Sequence, residues 1–72
     1  MSMSKNEFAQ WLDQQMKSRG LSNRDVERIS GLSHSQVGNI RSGRSSAGYE
    51  AVVRLAQAFD EDLDYLLKLA GL

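Results

Sequence analysis

Between Ser22 and Gly43 the chain reads SNRDVERISGLSHSQVGNIRSG, two short helix patterns separated by one glycine, and this segment limits the fold more than any other. Ser22 with Asp25, and Ser33 with Gln36, have the spacing in which a hydroxyl caps the free N–H groups of a first helical turn. Two helices therefore start at those serines. Gly31 supplies the positive φ that a sharp turn after a helix requires, Leu32 follows as an apolar plug, and Gly43 supplies the next stop. Val26, Ile29, Leu32, Val37 and Ile40 are spaced so that both helices pack inward. At about 100° per residue, His34, Ser35, Gly38 and Ser42 then point the other way, with Asn39 and Arg41 at the edges of that face. The outer face lacks bulk and carries hydrogen-bonding groups, which suits a helix that slides into a groove.

With 72 residues and no Pro/Ser-rich linker, the expectation is a single domain over residues 1–72, small enough to be marginally stable alone. There are no cysteines, so neither a disulfide framework nor a thiolate metal site is available, and one histidine, His34, cannot build a zinc site. No cofactor is expected. No apolar run approaches the roughly 20 residues of a membrane span, and no apolar stretch of the signal-peptide kind follows Met1 to Lys5, so the expected location is cytoplasmic.

The net charge is zero, yet its distribution is uneven. Residues 17–44 hold Lys17, Arg19, Arg24, Arg28, Arg41 and Arg44 against Asp25 and Glu27, a balance of +4. Residues 1–16 come to −1 and residues 45–72 to −3. The positive block coincides with the two-helix unit, as a phosphate-facing surface requires, although solvated helix charges give the same count.

The remaining pattern gives five helices and no strands. Helix 1 is expected from about Lys5 to Ser18, capped by Ser4 with Glu7, burying Phe8, Leu12 and Met16 with Trp11 at the margin and stopping at Gly20. Gly43 to Gly48 is a loop by composition, and helix 4 from about Tyr49 to Phe59 lines up Val52, Leu55, Ala56 and Phe59. The acidic run Asp60 to Asp62 suits the start of helix 5, at about Leu63 to Ala70. If Leu63, Leu66, Leu67 and Ala70 pack on the body, Tyr65, Leu69 and Leu72 remain as a second apolar stripe, read as a dimer or partner surface. Arg19 and Arg28 read as solvated.

From about Phe8 to Leu67 the chain resembles the Xre/Cro-like helix-turn-helix family, the lambda-repressor-like DNA-binding domains. The resemblance rests on Gly20-Leu21-Ser22, on Val26, Gly31, Leu32, Val37 and Ile40, on the Gly43 stop, and on Val52, Leu55 and Ala56 in helix 4. Ser35-Gln36-Val37-Gly38 and Ser42-Gly43 are similar to the lambda-type repressors. It implies an all-α fold, a compact five-helix bundle in which helices 2 and 3 form the helix-turn-helix and helix 3 is the reader.

The chain departs from the family pattern in several places. Glu27 replaces a small residue packed between helices 2 and 3 and should lean out or splay the pair. A family ion pair between an Arg late in helix 1 and a Glu ending helix 3 reads here as Met16 and Arg41, which would free Arg41 to reach a phosphate. Asn23 stands where a Gln usually opens helix 2, and Ala47 where a Pro precedes helix 4.

What the resemblance implies for function is a transcriptional regulator, a repressor that binds double-stranded DNA as a homodimer on a palindromic operator, with helix 3 in the major groove. His34, Ser35 and Asn39 match base-reading positions, with Gly38 letting the helix backbone approach the groove wall. Asn23, Arg24, Gln36, Arg41, Ser42 and Arg44 are the implied phosphate contacts. By spacing alone His34 reads equally as an exposed residue near a cap, and Gly38 as a packing glycine where helices 2 and 3 cross. Two other readings stand beside the repressor: an antitoxin or accessory protein using helix 5 for a partner, and an interaction module that has lost operator binding. An enzyme is not expected, because no nucleophile–base spacing, carboxylate pair, phosphate loop or metal cluster is present.

Overall fold

A computed structural model describes residues 7–72, so the expected Ser4 cap lies outside the described residues. Five helices follow in order, α1 (Glu7–Arg19), α2 (Asn23–Ser30), α3 (His34–Arg41), α4 (Tyr49–Ala58) and α5 (Leu63–Leu69), with no strand among the described residues. The last two helices each end one residue before the expected boundary.

The two serine caps form as their spacing predicts. At α2 the exchange is reciprocal: Asp25 N–H donates to Ser22 Oγ at 3.1 Å and Ser22 N–H donates to Asp25 Oδ2 at 2.8 Å. At α3 Ser33 Oγ accepts from Gln36 N–H at 3.1 Å. The turn between them depends on a residue that its sequence pattern does not advertise. Ser30 is buried, donates Oγ–H to the Val26 carbonyl at 2.6 Å and accepts from Leu32 N–H at 3.1 Å, bracing the chain on both sides of Gly31. Gly31 sits at φ 85°, and a side chain there would also meet the Arg54 guanidinium at 2.7 Å. Arg54, held through Nε and Nη2 by Glu50, thus lies over the C-terminus of α2, where a cation is favoured.

Ser30 also explains one departure from expectation. Ile29 is exposed, at 49 %, because the inward line of α2 runs through Val26 and Ser30, and Ile29 lies about 100° off Ser30. A second departure concerns Trp11, which is buried instead of marginal. Its ring lies 5.4 Å from Phe8 and meets Phe59 edge-on at 5.6 Å, forming an aromatic group that ties α1 to the end of α4. Arg19 is not merely solvated, since its guanidinium stands 5.0 Å over the Phe59 ring. Leu12, Met16, Val26, Val37, Val52, Leu55 and Leu66 are wholly inaccessible to solvent, one shared core for all five helices. Each such side chain contributes on the order of 1.5–3 kcal/mol.

On α5, Leu66 is buried and Leu63, Leu67 and Ala70 pack against the core as expected. Leu69 does so too, near Phe8, Ala9, Ile40 and Ala47, and therefore leaves the proposed outer stripe. Only Tyr65 (47 %) and Leu72 (60 %) of that stripe stay exposed. The acidic run divides between two helices. Asp60 adopts φ 55° and closes α4, with Glu61 N–H returning to the Ala56 carbonyl at 2.8 Å, while Asp62 caps α5 by accepting from Tyr65 N–H at 3.0 Å.

Asp60 occupies a left-handed position that glycine fills without strain. Asp60→Gly is expected to stabilise the fold by about 0.5–1 kcal/mol, seen as a rise of about 2–8 °C in Tm by circular dichroism.

Candidate nucleic-acid interface

The orientation of α3 is set by Val37 and Ile40, both buried, which leaves the rest of its surface to sort by helical angle. Ser35, Asn39 and Ser42 fall within an arc of about 60° opposite the core. Ser35 and Ser42 are exposed and Asn39 is half-buried. Ser42 donates Oγ–H to the Asn39 carbonyl at 3.2 Å, and Ser45 N–H donates to the same carbonyl at 3.1 Å, folding the loop after α3 back onto the helix end. The side chains of Ser35 and Asn39 have no hydrogen-bond partner among the described residues, so their donors and acceptors remain available.

The edge of α3 toward α2 is different, because polar side chains there are already engaged. Asn23 places its amide over Gly38, where an added Cβ would come within 3.0 Å of Nδ2. Gly38 is therefore a packing glycine at the α2–α3 crossing, and Asn23 fills the space. Asn23 Oδ1 accepts from Arg41 Nη1 at 3.3 Å, which leaves the amide NH2 as its open donor. Arg41 Nε in turn donates to Asp13 Oδ1 at 2.7 Å, and Lys17 Nζ lies 3.1 Å from Asp13 Oδ2. The expectation of a free Arg41 is thus corrected. Met16 faces the core and cannot serve as a partner, whereas Asp13, one turn earlier on the flank of α1, holds the guanidinium. The hydrogen bonds from Arg41 first, and from Lys17 second, hold the Asp13 carboxyl below the usual aspartate range.

Glu27 leans out rather than prying the helices apart. Val26, Val37 and Ile40 beneath it stay buried, and its carboxylate Oε1 lies 3.3 Å from His34 Nδ1. On the far side of α3, Gln36 lines a shallow groove with Gly31, Leu32, Glu50, Ala51 and Arg54. It is exposed there, on the α4 side of the helix and outside the Ser35–Asn39 arc.

Of the six cations in the positive block, Lys17, Arg28 and Arg41 are in ion pairs and Arg19 covers an aromatic ring. Arg24, in the first turn of α2, and Arg44, just beyond α3, are exposed and have no charged partner among the described residues. These two flank the Ser35–Asn39 arc in the chain. Asp13, Ser30 and Arg54 escaped the sequence reading. Asp13 had one legible signal, its place beside the Leu12–Met16 buried stripe and so at the edge of α1 that a neighbouring helix must pass.

The Asp13 carboxyl titrates lower in the folded chain than in the unfolded one, so its contribution to stability is present above the unfolded carboxylate range. That contribution is lost as pH falls through the folded value. Asp25, held low chiefly by the Ser22 backbone and hydroxyl and then by Arg28, adds to the same acid-side loss. Urea titrations between neutral pH and about pH 2 should show Asp13→Asn less stable than the parent at neutrality and less sensitive to acid.

The helix-turn-helix family model matches residues 12–66, from the middle of α1 to the middle of α5. No curated protein and no solved structure matches the chain. No group of three or more acidic, His or Cys side chains among the described residues is placed to hold a metal ion, and no described helix is long and apolar enough to cross a membrane. With five helices, the capped turn at Gly31 and a match spanning most of its length, the chain belongs to the Xre/Cro-like helix-turn-helix family of DNA-binding regulatory domains.

Proposed function

We propose that this chain is a sequence-specific transcriptional repressor that binds a palindromic operator as a homodimer, with α3 of each protomer in the major groove. The observation that carries the reading is the open arc of α3, where Ser35 and Asn39 keep unpaired hydrogen-bonding groups opposite a buried Val37–Ile40 seam. Asn39 is suited to a bidentate contact with adenine, and Ser35 to several bases. His34 reaches the groove from the edge of the same helix.

Phosphate contacts fall to Arg24 and Arg44 and to the Asn23 NH2 group, and the Ser42 hydroxyl joins them when its hydrogen swings from the Asn39 carbonyl to a phosphate oxygen. Arg41 acts indirectly. By pinning the Asn23 carbonyl oxygen it turns the NH2 end outward, and by bonding Asp13 it fixes the tail of α3 on α1. Tyr65 and Leu72, exposed on and just after α5, are the candidate dimer contacts, and such a dimer would present two reading helices about 34 Å apart on successive major grooves.

Selection of sites from a random DNA pool, followed by titrations on single-base variants, tests the assignment. Asn39→Ala should lose about 1–3 kcal/mol of discrimination at one base pair of each half-site, whereas Arg44→Ala should weaken all sequences alike and flatten the salt dependence. Equal, sequence-independent losses for both variants would exclude Asn39 as a reader. A non-palindromic selected site would exclude the two-fold dimer.

Gly38→Ala separates folding from binding. Alanine gains about 1 kcal/mol of helix propensity, offset by displacement of the Asn23 amide, so Tm should change little. Affinity for all DNA sequences should nonetheless fall, because the Asn23 donor is pushed out of register. A fluorescence anisotropy titration beside a thermal melt distinguishes the two effects.

A further inference from the structure

The pair formed by Glu27 and His34 is peculiar in its placement. Glu27 stands at an α2 position facing α3, and His34 is the first residue of α3, seven residues later and across the turn. Both side chains are half-exposed, at 41 % each, so the pair sits at the surface beside the reading arc rather than in the core. The contact is made through Nδ1 of the ring, at 3.3 Å from Glu27 Oε1. A carboxylate only accepts hydrogen bonds, so Nδ1 must carry the hydrogen. In a neutral imidazole that assignment leaves Nε2 without one.

We infer that Glu27 is a specificity-determining positioning residue, which fixes the His34 tautomer so that Nε2 faces DNA as a hydrogen-bond acceptor. The inference rests on the reading of α3 as the base-reading helix. Its chemical consequence is definite: an acceptor in the major groove is complementary to an exocyclic amino group, N4–H2 of cytosine or N6–H2 of adenine, and is repelled by the O6 and N7 acceptors of guanine. A His34 released from Glu27 can present either a donor or an acceptor at Nε2, and so discriminates less. Glu27 also limits ring rotation, which keeps Nε2 at one register along the groove.

The chain has a single histidine, so its imidazole 15N signals report the tautomer without ambiguity. At a pH where the ring is neutral, the parent protein should show the Nδ1–H form, Glu27→Ala should shift toward the Nε2–H form, and Glu27→Gln, whose carbonyl oxygen still accepts from Nδ1, should resemble the parent. On DNA at that same pH, the parent should prefer cytosine or adenine at one base pair by about three- to tenfold over guanine. Glu27→Ala and His34→Ala should both erase that preference, without adding to one another, and Glu27→Gln should retain it. Thermal melts of the three variants keep loss of fold apart from loss of discrimination.

A Glu27→Ala protein that keeps both the parent tautomer and the parent base preference overturns the inference while leaving the proposed function intact. So does a His34→Ala protein with an unchanged preference at every position while Asn39→Ala still loses one. Absence of any sequence preference in the parent protein overturns the inference and the proposed function together.

Discussion

The two buried residues of α3 govern what the rest of the molecule can do. An eight-residue helix that commits Val37 and Ile40 to the core has about half its circumference left, and that half is divided by its neighbours. Toward α2 lie His34, Gly38 and Arg41, toward α4 lies Gln36, and between them Ser35, Asn39 and Ser42 stay uncovered. The packing of α3 therefore decides its chemistry. Val26 from α2, Leu12 and Met16 from α1, and Val52 and Leu55 from α4 share that core, so tilting α3 would open cavities on several sides at once.

Polar contacts at the rim add direction to what the core supplies in stability. Surface ion pairs contribute little energy, and none of the pairs around α3 is fully buried. Their geometry matters more than their strength. Asp13, Arg41 and Asn23 form a chain of hydrogen bonds from α1 through α3 to α2, each partner fixing the rotamer of the next. Gly38 is what allows the chain to close, since a side chain there would occupy the place of the Asn23 amide. Arg54 does the corresponding service at the other end of α2, where its guanidinium stands over Gly31.

The parts of this structure that were legible in the sequence are those written locally. Ser22 and Ser33, each with its partner three residues on, announce helix starts, Gly31 and Gly43 announce stops, and the Val52–Leu55–Ala56–Phe59 stripe names its own buried face. Ile29 misled because apolar character says that a side chain favours burial, not that space remains for it, and Leu69 misled in the opposite sense, since the core had room for one more side chain of α5 than a single stripe supplies. Ser30 took the place that Ile29 was expected to fill. The site divides in the same way. Ser35 and Asn39 follow from helical angle and from the resemblance, whereas the Asp13–Arg41 contact joins residues 28 apart and is absent from any local pattern. Without it, Arg41 looked like a free cation.

The Asp13–Arg41 contact bears on affinity. The block of +4 between residues 17 and 44 suggested a strongly basic face, yet pairing and stacking leave Arg24 and Arg44 as its unpaired cations among the described residues. On the proposed reading, each protomer then neutralises few phosphates, and the logarithm of the binding constant falls by only about 0.9 per phosphate for each tenfold rise in salt. A single protomer would bind random DNA weakly. Weak non-specific attraction is an advantage for a reader that must find one site among many, because specificity is the ratio of the two affinities. On the same reading the burden of affinity falls on the contacts of α3 and on the proposed pairing of protomers, which would double both sets of contacts without raising the charge on either chain.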